Sequence, residues 1–170
     1  YVPFAYNAYY NIKELGEICD YVVIMCYDEH YAGSEEAGSV SSLSYVERGI
    51  DESSAKMDKN RVIIALPFYT RVWITDESGK LRSEALSIKK AKEWITEKNV
   101  SLEWKEDIGQ YYGVIQDGKE KKEIWMEDEK SMEAKMNLLR EKGIQGVAAW
   151  KLGQEPEGFW SILNLEEKAS

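Results

Sequence analysis

Tyr21-Val22-Val23-Ile24-Met25-Cys26-Tyr27-Asp28-Glu29-His30-Tyr31 is the stretch whose reading decides the fold. Its first half is continuously apolar and rich in β-branched residues, which predicts a strand buried on both faces. Acidic and aromatic residues then follow abruptly, from Tyr27 onward. In parallel α/β folds, open or closed, the carboxyl ends of the strands are where ligands bind. The same stretch therefore predicts both a fold class and the location of a site.

Two other stretches have the same character, Arg61–Tyr69 and Ile144–Trp150. Helical patterns precede all three. Asn11 stands before a short amphipathic helix over 12–19. Ser44, with Glu47 at the capping-box position, predicts a helix over 45–57. Asp128 predicts the start of a helix over 129–142 that stops at Gly143. Helices alternating with uniformly apolar strands predict a parallel sheet covered on both faces. Tyr1-Val2-Pro3 reads as the tail of a further strand, and residues 158–163 begin a last short helix. Residues 28–42 form a long loop, and a long loop after a core strand carries function more often than the average loop.

Between residues 74 and about 127 the pattern changes. A polar turn at Thr75–Lys80 is followed by a helix from Ser87 to Asn99. Alternating strands then run over 109–116 and 121–126 around Asp117-Gly118, a strong hairpin signal. This block reads as a small antiparallel α+β insertion. The expected organisation is two parts of one α/β fold, 1–73 and 128–170, with the insertion at 74–127 between them.

The chain has 170 residues, enough for one domain with its own core, and its 44% hydrophobic content argues against disorder. A formal net charge of -9 without any basic block argues against nucleic acid as a partner. No apolar run approaches the roughly 20 residues of a membrane span. Cys19 and Cys26 have no metal-ligand spacing and are expected as buried free thiols, and a single histidine, His30, excludes multi-histidine metal sites. No cofactor and no metal are expected. The chain opens on Tyr1 instead of Met, which suggests a fragment or a processed chain. The outermost strands are too apolar for free edges, so they are expected to be covered by a missing N-terminal part of the same fold or by a dimer mate.

If the three strands are parallel, their carboxyl ends bring Tyr27, Asp28, Glu29, Tyr69, Arg71 and Trp150 to one rim. Met25 lies on the same strand face as Tyr27. Aromatic platforms with carboxylates and an arginine suit a sugar, whose C–H faces stack on rings and whose hydroxyls take charged hydrogen bonds. Taken singly, each aromatic also fits core packing and Asp28 also fits a loop cap. It is their coincidence at strand ends that favours a site.

These residues carry a family resemblance. Met25-Cys26-Tyr27-Asp28 resembles the Met-x-Tyr-Asp on the sixth barrel strand of glycoside hydrolase family 18, the chitinase-like family. Leu66-Pro67-Phe68-Tyr69-Thr70-Arg71-Val72-Trp73 resembles the Pro-x-Tyr-Gly-Arg region of its seventh strand, with Thr70 replacing Gly. Trp125–Ser131, with Lys135 after it, resembles the segment leading into the seventh helix. Gly146–Trp150 resembles the eighth strand and its platform tryptophan. The resemblance implies a partial (β/α)8 barrel, about strands six to eight, carrying the α+β insertion. It is strongest toward the bacterial branch of spore and peptidoglycan N-acetylglucosaminidases. It therefore implies an extracellular, cell-wall or spore-associated location, and an N-acetylglucosamine-containing polysaccharide as partner.

The family's chemistry is substrate-assisted: a glutamate protonates the glycosidic oxygen while the substrate's own acetamido carbonyl attacks the anomeric carbon. By resemblance, Tyr27 would donate to that carbonyl and Asp28 would contact the distorted sugar and the neighbouring acid. Met25 would line the wall, Trp150 would form the floor, and Tyr69 and Arg71 would be rim contacts. The family's Asp-x-x-Asp-x-Asp-x-Glu is not found in this sequence. Three readings follow. The chain is the C-terminal part of a family 18 hydrolase and inactive alone, a carbohydrate-binding relative without catalysis, or a self-standing α/β domain that pairs its sheet edges with a partner.

Overall fold

The computed structural model describes residues 1–162. A first strand, β1 (Val2–Pro3), leads through a 3-10 helix (Phe4–Tyr9) to α1 (Ile12–Ile18), β2 (Val22–Met25) and α2 (Leu43–Ser54). A 3-10 turn at Lys59–Arg61 precedes β3 (Val62–Pro67). Then come β4 (Tyr69–Thr75), β5 (Leu81–Ser87), α3 (Ile88–Glu97), β6 (Leu102–Lys105), β7 (Gln110–Asp117) and β8 (Glu120–Met126). The chain closes on α4 (Glu129–Lys142), β9 (Gly146–Trp150) and α5 (Phe159–Ile162). Of the last predicted helix, Leu163 lies outside the described residues.

Two sheets organise these elements. The first is parallel throughout, in the order β1-β2-β3-β9. Val22, Ile24, Val62, Ile64 and Leu66 are all buried on one face, whereas Val23, Met25 and Ile63 on the other are half-buried, so the expected cover on both faces is incomplete among the described residues. Burying each such side chain contributes about 1.5–3 kcal/mol. The second sheet is antiparallel, in the order β5-β4-β8-β7-β6. The two share one core: Val72, Ile74, Ile124 and Met126 of the second cluster with Ile64 and Leu66 of the first.

The local signals explain most boundaries. The Asn11 side chain accepts from Glu14 N–H at the start of α1. Asp128 and Ser131 exchange hydrogen bonds in a capping box at the start of α4. That helix ends at Gly143, whose φ of 72° favours a residue without a Cβ. The Asp117-Gly118 hairpin joins β7 and β8.

Several expectations need correction. Ser42, not Ser44, caps α2: its hydroxyl accepts from Tyr45 N–H, and Leu43 N–H is held by the Ile108 carbonyl. Glu47 is instead paired with Lys142. The stretch Arg61–Tyr69 is not one strand. It divides at Phe68, so Tyr69 opens an antiparallel strand directly after β3, and the second sheet begins at Tyr69. β5 and β6 were not foreseen; β5 is an edge strand with mostly half-exposed or exposed residues, so it shows no apolar alternation. Cys26 is a buried free thiol as expected, but Cys19 is only half-buried.

Candidate active site

Because β1, β2, β3 and β9 are parallel, their carboxyl ends lie along one rim. β2 delivers Tyr27 and Asp28 there. The ladder continues one residue past β2, with Cys26 N–H donating to Ala65 O at 3.0 Å. It then breaks, because Asp28 has a φ of 57°. Aspartate tolerates this left-handed region better than most residues, and such strain, of order 1–3 kcal/mol, clusters at functional sites.

Tyr69, the residue after the β3–β4 junction, meets Asp28 across the rim. Its hydroxyl donates to Asp28 Oδ1 at 2.6 Å. Its ring lies edge-on to Tyr27, with centroids 6.2 Å apart and planes at 75°. All three side chains are half-buried. Burial, then the hydrogen bond to Asp28, pushes the Tyr69 hydroxyl far above the usual tyrosine range. Burial, then the Asp28 charge, also pushes Tyr27 up. Both phenols are therefore proton donors at neutral pH. Among the described residues, neither the Tyr27 hydroxyl nor Asp28 Oδ2 has a hydrogen-bond partner, so one donor and one acceptor remain free on consecutive residues.

The other expected residues lie on the same strands or on β4 and β9. Met25 stands opposite Ala65 in the sheet, half-buried. Arg71, two residues beyond Tyr69 on β4, donates from Nη1 to Ser83 Oγ at 3.1 Å, while its buried Nε has no partner among the described residues. Trp150 ends β9 opposite Pro67, and its carbonyl accepts from Phe68 N–H at 2.7 Å. The Trp150–Lys151 peptide is cis. Trp150 is 57% exposed and takes no part in the core.

Glu29 and His30 have structural tasks. The Glu29 carboxylate accepts from Ser42 N–H at 2.7 Å and from the Ser42 hydroxyl at 3.0 Å, at the N-terminus of α2. His30 Nδ1 lies 2.8 Å from the Ser39 carbonyl. The backbone N–H groups of Glu29 and His30 donate to Val40 O and Ser39 O, which folds the 28–42 loop back on itself. Trp73 of β4 pins that loop by donating to Gly38 O at 2.8 Å.

Tyr45 was missed by sequence reasoning. It packs edge-on against Phe4 at 4.9 Å and its hydroxyl is buried without a partner among the described residues. Burial, then the neighbouring Cys26 and Glu29, suppresses its ionisation. The available signal was the cap: once Ser42 is recognised, Tyr45 falls in the first turn, directly behind the rim. Among the described residues no group of three His, Cys, Asp or Glu could hold a metal ion, and no helix is long and apolar enough to cross a membrane.

The sequence profile described as "Glycosyl hydrolases family 18" matches residues 2–155. A Bacillus subtilis glycosylase, YvbX, is 30% identical over 166 residues, which are 94% of this chain and 46% of that protein. The crystal structure of the Bacillus cereus spore cortex-lytic enzyme SleL superposes with a TM-score of 0.81 at 26% identity, covering 90% of this chain and 36% of that one. A chitinase from Chromobacterium violaceum shares the fold, with a TM-score of 0.81 at 21% identity, over 91% of this chain and 47% of the chitinase. The chain thus spans less than half the length of each of these relatives.

Proposed function

Because this chain belongs to the glycosyl hydrolases of family 18, we propose that it carries the acetamido-holding part of a hydrolase that cleaves β-1,4-linked N-acetylglucosamine polymers, chitin or peptidoglycan. In this reading β2, β3 and β9 are the sixth, seventh and eighth strands of a (β/α)8 barrel. Residues 1–73 and 128–170 belong to the barrel and 74–127 to the insertion. The rest of the barrel covers the edges left by β1 and β9.

The observation that carries the reading is the pairing of a free donor with a held carboxylate. Asp28 is fixed by Tyr69 at 2.6 Å, and the hydroxyl of the preceding residue, Tyr27, has no partner among the described residues. A 2-acetamido group offers a carbonyl acceptor and an N–H donor. The carbonyl fits Tyr27 and the N–H fits Asp28 Oδ2. Held in this way, the carbonyl oxygen is oriented toward the anomeric carbon, and orientation of an intramolecular nucleophile lowers the barrier by several kcal/mol. The anomeric carbon is attacked once by this carbonyl and once by water, so its configuration is retained. The exposed face of Trp150 supports the sugar and Met25 lines the wall. Tyr69 positions Asp28, and Arg71 borders the rim. The acid that protonates the leaving oxygen is assigned to a part of the protein beyond these residues.

Relatives named for spore-cortex lysis support a spore or cell-wall location. The test is incubation of the whole protein containing this chain with chitooligosaccharides and with cortex peptidoglycan. Release of reducing ends, first as the β anomer, is expected from at least one substrate. No release from either, or the α anomer first, overturns the reading. One observation favours a second reading, a carbohydrate-binding relative: this sequence has no Asp-x-x-Asp-x-Asp-x-Glu. Tight oligosaccharide binding without turnover by the whole protein would support that reading instead.

A further inference from the structure

A chain of buried polar groups runs from α4 to the strand end that carries Tyr27 and Asp28. It starts at Glu127 and Lys135, whose side chains are both fully buried. Lys135 Nζ donates to Glu127 Oε1 at 2.7 Å and Oε2 at 2.8 Å. Ser131 Oγ donates to Oε2 at 2.7 Å, and Gln110 Nε2 of β7 donates to Oε1 at 2.5 Å. Gln110 Oε1 accepts from the Ser39 hydroxyl at 2.6 Å. Ser39 Oγ accepts from Ser41 N–H at 2.9 Å, and Ser41 Oγ donates to the Cys26 carbonyl at 2.7 Å. Every member from Ser39 to Lys135 is buried, Gln110, Glu127, Ser131 and Lys135 completely.

A buried ion pair is a poor route to stability, because desolvation offsets much of the attraction and an apolar pair of the same size does as well. What such a network does supply is geometry, provided every member is satisfied. Here each Glu127 oxygen receives two donors. The network also joins elements far apart in sequence: α4, the β7 strand of the antiparallel sheet, the 28–42 loop and the end of β2. Its last acceptor, the Cys26 carbonyl, belongs to the residue just before Tyr27.

We propose that Glu127, Gln110 and Ser39 are positioning residues that set the Tyr27–Asp28 strand end and its loop from the antiparallel sheet. They touch no substrate. They fix the backbone from which the acetamido-holding groups project, so the antiparallel sheet acts on the site through this relay. The kinetic consequence rests on the function proposed above, whereas the structural consequence does not.

Gln110→Met removes both of its links at similar volume, and Ser39→Ala removes both links of the Ser39 hydroxyl, to Gln110 Oε1 and from Ser41 N–H. The readout is amide hydrogen exchange in the whole protein. Glu29 and His30, whose N–H groups close the loop, are compared with Val100 and Ile144, whose N–H groups bond to Ile95 O and Leu139 O away from the relay. Exchange at Glu29 and His30 should rise about tenfold in either variant, with Val100 and Ile144 unchanged, because a buried network left half-satisfied opens locally. Equal acceleration at all four amides, or none at Glu29 and His30, overturns the proposal. In a protein with turnover, kcat should fall with KM nearly constant; faster loop exchange with unchanged kcat overturns the link to chemistry. A wild-type protein without turnover refutes the hydrolase reading, and the exchange comparison still decides this one.

Discussion

The Tyr69 hydroxyl donates to Asp28 Oδ1 at 2.6 Å, joining the end of β2 to the first residue of β4. The bond links the parallel sheet to the antiparallel one at the rim. It also holds a carboxylate whose backbone sits at a φ of 57°. A charged acceptor and a phenolic donor make one of the stronger hydrogen bonds of the fold. It occupies one Asp28 oxygen and, among the described residues, leaves the other open.

Tyr69→Phe deletes this bond and little else. Hydrogen bonds to charged groups contribute about 1.5–3 kcal/mol, so a loss of that order is expected in denaturant unfolding of the whole protein. Turnover should fall with it, since Asp28 is no longer fixed. Unchanged stability and unchanged kcat would show that the bond does not hold Asp28.

Trp150→Ala should weaken binding of chitooligosaccharide while changing stability by less than about 0.5 kcal/mol, because the side chain is 57% exposed. Titration of the ligand into both proteins checks this. Equal affinities would remove Trp150 from the sugar platform.

The antiparallel sheet has its own acid sensitivity. Hydrogen bonds from Lys122, then Lys98, hold the Asp117 carboxyl down at about 2, against an ordinary value of 3.8. A carboxyl depressed on folding adds stability above its ordinary value and loses it as pH falls through the depressed one. Stability should therefore drop between pH 3.8 and about 2, and Asp117→Asn should flatten that part of a melting-temperature profile. An identical acid limb in the variant would contradict the pairing.

The 170-residue chain alone should release no reducing ends from chitooligosaccharide or cortex peptidoglycan, because the acid of the proposed mechanism is not among its residues. Measurable turnover would contradict that assignment.

The parallel sheet was legible in the sequence because three of its strands have no polar face: 22–24, 62–66 and 146–149 read as continuous apolar runs, although β9 is only half-buried among the described residues. The cap at Asp128 and the stop at Gly143 were legible for local reasons: each needs one residue type at one position. The cap of α2 was not, because Ser42 and Ser44 compete and only the tertiary bond from Leu43 N–H to Ile108 O separates them. The Tyr27, Asp28 and Tyr69 cluster followed from strand ends and from family resemblance. Its internal wiring did not, since a hydrogen bond across 41 residues leaves no periodic trace. The Glu127–Lys135 pair was equally hidden: two charged residues at i and i+8 look like solvent-facing positions until both prove fully buried.

The central claim is that Tyr27 donates to the acetamido carbonyl as it attacks, and Tyr27→Phe in the whole protein tests it most directly. Parallel measurement of kcat and of oligosaccharide affinity is expected to show kcat lowered by about 10²-fold, as for loss of one transition-state donor, with affinity reduced only slightly. Equal losses in kcat and affinity, or no loss in either, would contradict the account.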